Sequence, residues 1–94
     1  MTTPPILHDE TQHKFFVELD GQEAHLIYAV VDPTTLDFRH TFVPPELRGR
    51  QLAERLVQAG FAYARARGYR VIPTCSYVQR RVEQDPDLRA LSTP

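Results

Sequence analysis

Tryptophan is absent, and methionine and cysteine occur once each. The lone Cys75 closes no internal disulfide, so packing must hold the fold, and the expected home is a reducing, cytoplasmic compartment. No apolar run approaches the roughly 20 residues of a membrane-spanning helix. No basic-then-apolar leader opens the sequence, so no membrane partner is expected. Charge of one sign is lacking too: 11 Lys and Arg face 12 Asp and Glu, leaving a net −1. That balance argues against a nucleic-acid partner. His8, His13 and His25 have no ligand-like spacing with one another or with Cys75, so no metal is expected. Only four glycines are present, and neither a Walker loop nor a Ser-His-Asp order occurs.

What is there is the composition of an ordinary globular domain, 41% apolar and 24% charged over 94 residues. That length suits one domain with a thin core. Residues 1–12 carry two prolines and no period, and read as a loose lead-in to a domain over 13–94. "HKFFVEL" sets Phe15, Val17 and Leu19 on one face at period 2. Asp20-Gly21 follows, the strongest short hairpin signal, because both turn positions need positive φ. The next run, "QEAHLIYAVV", is apolar on both faces and predicts a central strand covered on both sides. After "DPTT", "LDFRHTFV" alternates, so that Leu36, Phe38, His40 and Phe42 point one way and Asp37, Arg39 and Thr41 the other.

Beyond Pro44-Pro45 the period lengthens. Leu52, Ala53, Leu56, Val57, Gly60, Phe61 and Ala64 make a helical stripe over roughly residues 48–67, closed by Gly68. "YRVIPT" is a fourth strand, and a helix between two strands of one sheet makes them parallel. Ser76-x-x-Gln79 matches a capping box and predicts a second helix from 76 to about 85, before Pro86. The expected architecture is α/β, β-β-β-α-β-α: an antiparallel three-strand meander plus a parallel fourth strand joined by a crossover helix.

Nine of the eleven basic residues lie between Arg48 and Arg89. A solvated helix face accounts for them, as does a site for a small anion. Arg48-Gly49-Arg50 stands at the start of the long helix, where free N–H groups and the helix dipole favour phosphate. The plainer reading is a glycine turn with arginines in solvent. Cys75 ends a strand just before a helix, a place that lowers a thiol's pKa. The plainer reading there is a buried, inert cysteine.

Residues 40–78, "HTFVPPELRGRQLAERLVQAGFAYARARGYRVIPTCSYV", resemble the core of the GNAT-related N-acetyltransferases, and in particular their short single-domain members. The shared pattern is His-Thr-x-Val-Pro, then Arg-Gly-x-Gly-x-Ala/Gly, a helix, then Pro-x-Cys-x-Tyr/Phe-Val. The resemblance implies an acetyl-coenzyme A site. Arg48, Gly49, Arg50, Leu52 and Ala53 match the loop whose amides hold the pyrophosphate. Phe42 and Val43 match the segment beside the pantetheine arm, where two strands splay. Gln51 stands where the family has glycine: its side chain points outward, binds a phosphate oxygen, or narrows the site. Cys75 matches the cysteine held to be catalytic in the short subfamily, as acetyl acceptor or as proton relay. His40 matches the His-Thr position, as base or as core residue, and no general-acid role carries over to Tyr77. The implied activity is an acetyl-CoA-dependent N-acetyltransferase acting on a small-molecule or protein amine, as monomer or homodimer. The alternatives are a non-catalytic coenzyme A or acyl-CoA-binding module, and an interaction domain that meets an acidic partner.

Overall fold

A computed structural model describes residues 4–93. Its elements are β1 (Leu7–Asp9), β2 (Lys14–Leu19), β3 (Gln22–Asp32), β4 (Thr35–Phe42), α1 (Leu52–Arg67), β5 (Arg70–Ile72), α2 (Ser76–Gln84) and α3 (Pro86–Leu91). One sheet runs β1-β2-β3-β4-β5. The first four strands pair antiparallel and β5 joins β4 in parallel. The mixed α/β fold, its meander and its crossover therefore stand as the sequence predicts, with Asp20 and Gly21 at φ 53° and 76° in the hairpin turn.

The predicted fourth strand, "YRVIPT", is shorter, Arg70–Ile72, and three further boundaries differ. The stretch 1–12 is not wholly a lead-in: residues 1–3 lie outside the described residues, but Leu7–Asp9 form an edge strand on β2. A three-residue run has no readable period, and pairing alone makes it a strand. The long helix begins at Leu52 and not at 48, because Pro45–Leu47 is a 3-10 turn and Gly49 and Gln51 take φ of 83° and 61°. Left-handed residues cannot belong to a right-handed helix. Pro86 ends α2 and also starts α3, where the Asp85 carboxylate accepts the Asp87 amide at 2.9 Å. Asp-Pro is a cap followed by the favoured first helical residue.

The core lies between α1 and one face of the sheet. Leu26, Leu36 and Phe38 meet Leu56, Val57, Phe61 and Ala64, all essentially buried. Gly60 lets α1 come down onto the Phe38 ring. The expectation that β3 is covered on both sides fails. Ile27 and Val31 are exposed, and His25 lies beside His40 and Phe42 on the face away from α1. A continuous apolar run does not require two covering layers when one face is shared with histidines and ion pairs such as Lys14–Glu23.

Candidate active site

The end of β4, the loop that follows and the start of α1 enclose a cleft of about 360 Å³, within the range of about 300–1,000 Å³ usual for ligand pockets. Partly buried Val43, fully buried Leu47 and the exposed Arg48, Gly49 and Gln51 line it. Leu52, Ala53 and Glu54 at the helix start and Tyr77 of α2 complete the lining. The first bond within α1 runs from the Arg55 N–H to the Gln51 carbonyl at 3.1 Å. No side chain caps this helix. The amides of Leu52, Ala53 and Glu54 therefore keep free donors at the positive end of the dipole, an arrangement that takes an anion. Glu54 would repel that anion, but Arg81 of α2 holds its carboxylate at 3.2 Å and ties the two helices across the cleft.

The arginines divide. Arg48 lines the cleft and donates from Nε to the Val43 carbonyl at 3.2 Å. Arg50 does not line it; its guanidinium reaches Asp20 in the β2–β3 turn at 3.6 Å, half exposed. Gln51 lies left-handed at the cleft and exposed, so the residue that replaces glycine keeps glycine's backbone conformation.

A bulge decides the rest. Phe38 pairs with Tyr28, but His40 pairs with Ile27, so Arg39 is an extra residue in β4. One inserted residue inverts the alternation beyond it. Thr41, opposite buried Leu26, turns to the α1 face. His40 and Phe42 turn to the open face, His40 exposed and Phe42 at 40%. The predicted common face for Leu36, Phe38, His40 and Phe42 is thus corrected, as is the placing of Thr41. Strict period 2 has no term for a bulge. His40 and Phe42 stand together beside His25, on the other side of the sheet from Thr41.

Thr41 meets Cys75. Its Oγ1 lies 3.4 Å from the half-buried Sγ, and the Cys75 amide donates to the Phe38 carbonyl at 2.9 Å. Cys75, and not Ser76, is the N-cap of α2, and no side-chain hydrogen bond caps it. The predicted Ser-x-x-Gln box does not form, because Ser76 already has a helical place. Burial pushes the Cys75 thiol up. The Thr41 hydroxyl and the Val78, Tyr77 and Thr41 amides outweigh it, and the thiol sits below its ordinary value. Burial also raises the Tyr77 phenol, which stays protonated at neutral pH.

Of the residues singled out in the sequence, Val43, Arg48, Gly49, Gln51, Leu52 and Ala53 gather at the cleft. Cys75 is not among the lining residues and is paired with Thr41. Each member of the pair is two residues before a lining residue, Thr41 before Val43 and Cys75 before Tyr77. Sequence reasoning passed over Thr41, Glu54 and Tyr77 as site residues. Thr41 had a signal in the His-Thr pair, masked by the assumed alternation.

The profile of a family described as GCN5-related N-acetyl-transferase matches residues 14–91. Protein NATD1 of Xenopus tropicalis is 35% identical over 81 residues, which cover 84% of this chain and 74% of that protein. Human protein NATD1 is 33% identical over 81 residues, covering 84% and 72%. A GCN5-like protein of Staphylococcus aureus, solved by NMR in solution, superposes with a TM-score of 0.77 at 25% identity, covering 99% of this chain and 91% of that one. A free-amide cleft at the start of the crossover helix, on this sheet and with these relatives, makes the chain a member of the GCN5-related N-acetyltransferase family.

Proposed function

We propose that this protein is an acetyl-CoA-dependent N-acetyltransferase for an amine acceptor, small-molecule or protein. The observation that carries the reading is the uncapped start of α1 opening into a cleft beside Arg48. The amides of Leu52, Ala53 and Glu54, with the Arg48 guanidinium, suit a pyrophosphate in number, direction and charge. Val43, partly buried beside the cleft, gives apolar surface for an extended thiol arm. Acetyl-CoA supplies a thioester whose carbonyl carbon an amine attacks, forming a C–N bond as the C–S bond breaks. Cys75, held with a lowered pKa, takes the proton shed by the amine nitrogen and returns it to the departing sulfur. His40, exposed on the opposite face, has no part in this step.

Calorimetric titration with coenzyme A tests the site, and turnover on a panel of amines tests the reaction. Binding that persists undiminished when Arg48 is changed to Ala refutes the pyrophosphate assignment. Intact mass after acetyl-CoA treatment tests the relay: an acetyl group that accumulates on Cys75 makes it a carrier instead. Coenzyme A binding without turnover on any amine, in wild type, would leave a binding module.

A further inference from the structure

We infer that Thr41 is a positioning residue for the proposed acetyl transfer, one whose hydroxyl holds the Cys75 sulfur in place and favours its thiolate. The inference rests on the reading above for its purpose, but its geometry stands independently. The Arg39 bulge is what puts Thr41 on the α1 face. Without that insertion Thr41 would project from the open face, and His40 and Phe42 from the α1 face. The end of β4 and the N-cap of α2 are then tied together: the Cys75 amide donates to Phe38 one residue before the bulge, while Sγ meets Thr41 Oγ1 two residues after it. Backbone and side chain of Cys75 are thus both fixed by β4, on either side of one irregularity.

A hydroxyl has a single proton and rotates freely, so it donates to a thiolate and accepts from a thiol. The contact therefore survives both protonation states, as a relay requires. It is stronger when the sulfur is charged, because hydrogen bonds to ions exceed neutral ones. Serine retains this donor and valine, nearly the same shape as threonine, does not.

The test is the pH dependence of Cys75 alkylation by iodoacetamide, followed by intact mass on the full chain, with coenzyme A affinity measured in parallel. In wild type and Thr41→Ser the midpoint should lie together, below the ordinary thiol value of about 8.5. In Thr41→Val it should rise by roughly one pH unit, giving on the order of tenfold less thiolate at fixed pH below it. Thr41→Ala serves if the valine variant does not fold. A valine or alanine midpoint equal to wild type overturns the inference, as does a serine midpoint that shifts with them. A protein whose thiol responds as expected but binds no coenzyme A refutes the acetyltransferase reading and leaves the hold of Thr41 on the sulfur standing.

Discussion

Gly60→Ala sets two known effects against each other inside α1. A β-carbon at Gly60 would lie 2.9 Å from both Cε2 and Cζ of Phe38 and 3.1 Å from a methyl of Leu26. Neither neighbour is exposed. The Phe38 ring is held edge-on by Phe61, centroids 5.3 Å apart, and flanked by Tyr28 at 6.4 Å, so it has no vacant side to move into. Alanine is favoured over glycine in a helix by about 1 kcal/mol. Overpacking a tight core costs roughly 1–3 kcal/mol, and contact with a hemmed-in ring belongs in the upper half of that range. The net expectation is a loss of roughly 1–2 kcal/mol, or about 5–15 °C in Tm for a domain of this size. Calorimetric melting with urea titration measures it. Ala62→Gly, exposed on the same helix, isolates the propensity effect and should itself destabilise by about 1 kcal/mol. A Gly60→Ala variant as stable as wild type, or more so, would refute the close approach of helix and ring. Because α1 lines the cleft at its N-terminus, the same variant should also bind coenzyme A less tightly.

The left-handed loop gives a pair of opposite sign: Gln51→Gly relieves an αL side chain and should stabilise by roughly 0.5–1 kcal/mol after the entropy of the unfolded glycine is counted, whereas Gly49→Ala should destabilise by about 1 kcal/mol; thermal melts that reverse the order would sink the argument. Arg48→Ala should weaken coenzyme A roughly tenfold or more, as loss of a hydrogen bond to a charged group does, and Arg50→Ala, already turned to Asp20, should weaken it less; isothermal titration compares them. His8 is stacked on Phe15, and its Nε2 lies 2.6 Å from the Tyr28 hydroxyl. Burial first, with Arg67 and His13 adding repulsion, lowers its pKa from 6.5 against the pull of Glu10 and Asp9. A depressed folded pKa means the unfolded chain binds more protons, so this contribution is intact above pH 6.5 and fades as pH falls toward the folded value. Urea midpoints from pH 7.5 to 5 should show that loss, and His8→Gln should flatten it.

The strand, turn and helix types were legible because each depends on neighbours in the chain. Asp20-Gly21, the helical stripe from Leu52 to Ala64 and the Gly68 stop are local chemistry, and each forms where its residues imply. Most of the cleft was legible for the same reason, since Val43 to Ala53 are nearly contiguous. The losses in the sheet have one cause. β1, the bulge at Arg39 and the uncovered face of β3 depend on pairing and packing with distant residues.

By itself, then, the sequence determined an α/β domain with a parallel crossover, because period and turn chemistry are properties of short segments. Only the tertiary structure decided which face each β4 side chain serves. One inserted residue sends His40 and Phe42 to the open face and brings Thr41 to Cys75. Register is a relation between strands, and no single strand carries it.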